Sequence, residues 1–160
     1  MIILGIDPGT TRIGFGVVSE QSGKLSLIDY GVIEGKSKQK ISVSILENCK
    51  QLSKIIKKYK PGLAGIEKIF FVKNIKTGID VAQSRGAFIL ELAKAGIKIC
   101  ELGPSEIKSA VAGHGLADKK SVSKVTAMIL GLKEGLKGYD DASDAVAIAV
   151  ATALSKNFEE

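Results

Sequence analysis

The apolar positions of this chain change period along its length, and each change marks an element. Ile2-Ile3-Leu4-Gly5-Ile6 is a continuous apolar run, the pattern of a central strand covered on both faces. Asp7-Pro8-Gly9 ends it with turn chemistry. Ile13–Ser19 and Leu25–Ile33 read as two further strands joined near Ser22-Gly23-Lys24, and three early strands with short links predict an antiparallel meander. The spacing then becomes helical. Ile41, Ile45, Leu52, Ile55, Ile56 and Tyr59 recur on one face, Lys50, Lys54, Lys57 and Lys58 fill the other, and Pro61-Gly62 stops the run.

Leu63–Glu67 is a short fourth strand and Ile97–Leu102 a fifth, with a helix between them from about Thr77 to Ala95, ended by Gly96. Pro104 suits the first turn of a helix reaching Ala112. Gly113-His114-Gly115 breaks the chain, and Asp118 can cap a helix through Ile129. After a loop at Gly135–Gly138, Asp140 or Asp141 starts a last helix, Ala142 to about Leu154. The order β-β-β-α-β-α-β-α-α-α predicts an α/β fold, a mixed sheet with helices on its faces. With no repeat, low-complexity tract or boundary, residues 1–160 read as one domain with room for a proper core.

Composition narrows the class. Apolar content is 45% and charged content 25%, which is globular rather than disordered. No apolar run approaches the ~18–20 residues of a membrane span, and the N-terminus enters a strand without a basic leader, so no membrane partner and a cytoplasmic location are expected. Cys49 and Cys100 form no spaced motif and read as reduced packing residues. The net charge is +6, carried by 21 lysines and 2 arginines, and favours a polyanion partner, nucleic acid first.

Against that basic background four acids stand where buried runs end or begin. Asp7 closes the first strand, Glu67 closes the fourth, and Asp141 and Asp144 open the last helix. Taken singly each has an ordinary explanation. Asp7 suits a turn before Pro-Gly, Glu67 a solvated strand end, and Asp140 or Asp141 a helix cap. Asp144 resists such a reading, because Ala-Ser-Asp-Ala-Val-Ala-Ile-Ala-Val is too apolar to face water all round and a lone buried charge is costly. Strand ends are where sites collect in open sheets with helices. Carboxylates drawn together from distant segments repel, and a divalent cation is the usual reason for them to meet.

Other candidates are weaker. His114 is the sole histidine and has no ligand spacing around it. Gly31-Val-Ile-Glu-Gly35-Lys36-Ser37 is one residue short of a phosphate loop and reads as a strand end and turn. Phe70 and Phe71 follow Glu67 and point opposite ways in an extended segment, so one can be core while the other stacks on an unpaired base, with Lys73 for phosphate.

Together these segments resemble the RuvC family of Holliday junction resolvases, within the RNase H-like superfamily. The specific pieces are Ile3-Leu4-Gly5-Ile6-Asp7-Pro8-Gly9, Gly65-Ile66-Glu67-Lys68-Ile69-Phe70, Lys73-Asn74, Gln83-Ser84-Arg85-Gly86 and Asp141-Ala142-Ser143-Asp144-Ala145. The resemblance implies an RNase H-like five-stranded mixed sheet, three early antiparallel strands then two parallel, flanked by helices. It implies a magnesium-dependent endonuclease, with two ions per active site and manganese able to replace them, acting as a homodimer on four-way DNA junctions in recombination and repair. A branch-migration helicase complex is the further partner it points to. Asp7, Glu67, Asp141 and Asp144 take the catalytic and metal-binding roles. Phe70, Lys73, Asn74, Arg85, Lys108, Lys119 and Lys120 fall on the DNA-binding side, with Lys119-Lys120 leaving the register there open by one. Three other functions stand beside it. They are an actin/Hsp70-like ATPase sharing the Asp7–Thr11 loop, a silent DNA-binding module, and a related nuclease acting on RNA.

Overall fold

A computed structural model describes residues 1–35, 39–70 and 75–155. Its strands are β1 (Ile2–Asp7), β2 (Arg12–Gln21), β3 (Lys24–Glu34), β4 (Leu63–Glu67) and β5 (Lys98–Leu102). Its helices are α1 (Ile41–Tyr59), α2 (Ile75–Lys94), α3 (Pro104–Ala112), α4 (Lys119–Ile129) and α5 (Asp140–Leu154). The strands form one sheet in the order β3-β2-β1-β4-β5. β1 pairs antiparallel with β2 and parallel with β4, β2 pairs antiparallel with β3, and β4 parallel with β5. The expected meander followed by parallel strands is therefore present, and β1 lies at the centre.

Helices cover the sheet on both sides. Leu4 and Ile6 of β1 point to one face and pack with Leu52 and Ile56 of α1 and Phe88 and Leu92 of α2. Ile3 points to the other, with Val146, Ile148 and Val150 of α5, Ile107 and Val111 of α3 and Val122 of α4. This is why Ile2–Ile6 shows no alternation: a strand clad on both sides has no wet face. Cys100 is buried and Cys49 half-buried, and both are free thiols. Among the described residues no helix is long and apolar enough to cross a membrane.

Glycines set how closely α5 approaches. Gly16, Gly5 and Gly65 stand side by side on β2, β1 and β4. A β-carbon on Gly5 would fall 2.0 Å from the Ala145 carbonyl oxygen, and one on Gly65 would fall 1.9 Å from Thr152 Oγ1. One on Gly16 would come within 2.7 Å of the Val146 backbone. The alanine-rich helix thus lies directly on bare sheet backbone.

Helix α5 starts at Asp140, and its cap, Tyr139, makes no side-chain capping bond. Neither Asp140 nor Asp141 is the cap, so the helix-cap explanation for those acids does not hold. Asp118 does cap α4, accepting from the Ser121 N–H at 2.7 Å.

Candidate active site

Side chains alternate across a strand, so Ile3, Gly5 and Asp7 share the α5 side of β1. Leu63, Gly65 and Glu67 share it on β4, since Gly5 and Gly65 are partners. Asp7 and Glu67 therefore end neighbouring parallel strands on the same face. Helix α5 brings its first turns to that place, because Gly14, the partner of Asp7, lies under the Asp141 carbonyl. Asp141 and Asp144, three residues apart, share a helix face.

The electrostatics record the convergence. Asp7 has its pKa pushed up to about 7, first by burial and then by the charges of Glu67, Asp144 and Asp141. Asp140 is absent from that set, and its side chain is 82% exposed. Asp141 is thus the member of the pair that faces Asp7. Burial also raises Glu67, with Asp144 adding to the effect and Lys108 and Lys119 opposing it. The Lys119 ammonium lies 2.8 Å from Asp144 and 3.4 Å from Asp140, and its pKa is raised chiefly by the hydrogen bond to Asp144. A cleft of about 290 Å³ opens between Glu67, Lys108, Lys119 and Asp144.

Asp144 is not buried as the apolar run implied. Its side chain is 39% exposed, at the mouth of the cleft, because it sits before the helix slides under the sheet's cover. Its burial is thus no argument for a ligand role; its neighbours are.

Crossover junction endodeoxyribonuclease RuvC is the family model that matches, over residues 3–152. The chain belongs to the RuvC family. A RuvC from Roseiflexus is 42% identical over 147 residues, covering 92% of this chain and 87% of that one. The RuvC of Syntrophomonas wolfei is 39% identical over 94% of this chain and 87% of its own. Among solved structures, Thermus thermophilus RuvC in complex with Holliday junction substrate superposes with a TM-score of 0.89 at 30% identity, over 96% of this chain and 93% of that one. The family is one of metal-dependent nucleases. Membership also assigns the Asp7–Thr11 loop, which nucleotide-binding lobes share, to a nuclease.

All four donors of this RuvC-family cluster are carboxylates, the hard oxygen ligands that magnesium and manganese take. Asp7, pushed up to about 7 by burial first and then by three neighbouring acids, is a carboxylate that a divalent cation would favour in its ionised form. As the side chains stand, among the described residues no three acids, histidines or cysteines are grouped closely enough to hold an ion. Cationic side chains take part of the place: Lys119 holds Asp144, and Arg12 lies 3.4 Å from Asp141. The donor set fits a divalent cation, and those two ion pairs compete with it.

The remaining expected residues divide. Lys108 lines the cleft, and Lys120 lines a basic groove that continues it, with Lys119, Lys124 and Lys133. Phe70 is 57% exposed, with its ring against Gly103, so it is no core residue. Lys73, Asn74 and Phe71 lie outside the described residues. Arg85 departs from expectation. Its side chain is only 15% exposed and turns inward, Nε donating to the Glu67 carbonyl at 2.7 Å and Nη2 bound to Glu101.

Arg12 was missed. Besides Asp141 it stacks over the Tyr139 ring at 4.6 Å, clamping the start of α5. The available signal was its position, one of two arginines in a lysine-rich chain, just beyond the Asp7 turn.

Proposed function

We propose that this protein is a structure-selective endonuclease that resolves four-way DNA junctions by paired, metal-dependent phosphodiester hydrolysis in recombination and repair. The observation that carries the reading is the convergence of three acids, Glu67, Asp144 and Asp141, on the buried Asp7, beside a cleft that Glu67 and Asp144 line together with Lys108 and Lys119.

Asp7 on the central strand, Glu67, Asp141 and Asp144 would hold a pair of magnesium ions. Such a pair, when bound, supplies an activated water and offsets charge on the attacking and leaving oxygens of an in-line displacement. Lys108 and Lys119 hold positive charge beside the phosphate as its own charge grows. Lys120, Lys124 and Lys133 extend that charge along the groove, for the backbone of one junction arm. Phe70 stands free to stack on an unpaired base at an opened junction centre.

Selectivity for four-way DNA belongs to a two-fold dimer that spaces two such sites on two symmetric strands. Ile79, Gln83, Gly86 and Leu90 share one exposed face of α2, a surface that supports this pairing. A single domain, a cytoplasmic location and a branch-migration helicase partner belong to the same reading.

The test compares four-way DNA, linear duplex DNA and RNA substrates in magnesium, in manganese and in chelator. Symmetric paired nicks in the four-way DNA alone, lost in chelator, are expected. Preferential cutting of RNA would transfer the assignment to a related nuclease. Nucleotide turnover without any cutting would replace it with an ATPase.

A further inference from the structure

We infer that Arg85 is a positioning residue for Glu67 rather than a contact to DNA, and that Glu101 in turn orients Arg85. The inference rests on the proposed nuclease reading.

The reason begins in the sheet register. The Lys68 N–H donates to the Leu102 carbonyl at 2.8 Å, so Lys68 bonds toward β5. Backbone groups alternate in direction along a strand, so those of Glu67 turn toward β1. With Ile6 opposite Ile66, the donor due to meet the Glu67 carbonyl is residue 8. Residue 8 is Pro8, which has no N–H. The ladder between β1 and β4 stops there, one residue before the carboxylate that the site needs, and the last carbonyl of β4 is left facing no backbone donor.

Arg85 fills that vacancy from α2. Its Nε donates to the Glu67 carbonyl at 2.7 Å, and its Nη2 is bound by Glu101 of β5. The guanidinium is planar and its donors lie in a rigid fork, so fixing Nη2 on Glu101 aims Nε. Pro8 is thus answered by a side chain: the turn that carries Asp7 out of β1 removes a donor, and Arg85 restores it where Glu67 must be held. A guanidinium only 15% exposed, with Nε and Nη2 held inside the protein, is poorly placed to meet a phosphate.

The test uses the full-length protein and three variants, Arg85→Leu, Arg85→Gln and Glu101→Gln. Arg85→Leu should lower kcat at saturating four-way DNA by about 10–100-fold, the usual effect of losing a group that orients a metal ligand. It should also shrink the rise in Tm that manganese produces, a readout independent of turnover. Junction Kd in the absence of divalent metal, and its salt slope, should not move. Arg85→Gln keeps one donor for the carbonyl and should recover part of both losses. It also serves if Arg85→Leu fails to fold. Glu101→Gln should shift kcat and the manganese response in the same direction by less, and adding it to Arg85→Leu should change nothing further. A weakened Kd with a salt slope reduced by about one charge would make Arg85 a phosphate contact and overturn the inference. An unchanged kcat and manganese response in both Arg85 variants would overturn it equally. Failure of the nuclease reading is separate: it would appear as no metal-dependent cutting by the unaltered protein.

Discussion

A β-carbon placed on Gly14 would stand 1.9 Å from the carbonyl oxygen of Asp141. The partner of Asp7 on β2 is therefore bare so that the first turn of α5 can rest on it. Gly14→Ala must push that turn away, since the opposing atom is backbone and cannot swing aside. Overpacking of this kind costs about 1–3 kcal/mol, and the displaced turn carries Asp141 with it. Thermal melting should show a fall in Tm, and junction cleavage should drop by more than the loss of folded protein explains. A variant with unaltered Tm and turnover would show that α5 has slack at this point.

Asp7 makes a prediction about pH. Its folded pKa, about 7, lies above the unfolded value near 3.9, so between those limits the folded state keeps a proton that the unfolded chain has released. Stability without divalent metal should then fall as pH rises from about 4 to about 7, and level off above. Asp7→Asn should abolish cleavage and keep junction binding. It should also raise Tm at pH 8 in chelator, by a stability gain on the order of 2 kcal/mol that vanishes near pH 4. Loss of binding in parallel with cleavage would point to a folding role for Asp7 instead.

Salt should weaken junction binding steeply, because lysine–phosphate contacts release counterions. Lys119 is paired with two carboxylates, whereas Lys120 is exposed in the adjoining groove. Lys120→Glu should weaken binding across all junction sequences without altering sequence preference. Affinity measured from low to moderate salt checks both points, and a flat response would remove the polyanion argument.

Phe70 is exposed, so truncating it should not leave a cavity. Phe70→Ala should leave Tm nearly unchanged and slow junction cleavage by about tenfold, the worth of one base stack at ~1–3 kcal/mol. Melting and cleavage on the same variant separate this from a packing role, which would lower Tm by several degrees.

The sequence by itself determined the element order and the four acids. Both follow from local rules: a doubly covered strand is apolar throughout, as Ile2–Ile6 is, and helices repeat at their own period, as Ile41–Tyr59 does. It also marked Asp7 and Glu67 as strand ends, since each closes an apolar run. Only the tertiary structure decided which acids meet. Asp140 and Asp141 are adjacent in the chain, yet a helix turns successive side chains about 100° apart, and it is the charge of Asp141 that acts on Asp7 while Asp140 stands out in solvent. The same holds for Phe70, whose exposure depends on where Gly103 lies, and for Asp144, whose apolar neighbours sit deeper under the sheet than it does. Arg85 could not be assigned from its motif, because its partner is the backbone carbonyl of Glu67, left without a strand donor by Pro8, which is remote in sequence and lies in another strand's turn. The need for Gly5, Gly14, Gly16 and Gly65 is not written in the sequence for the same reason: what makes them necessary is the helix lying on them, and that contact is long-range.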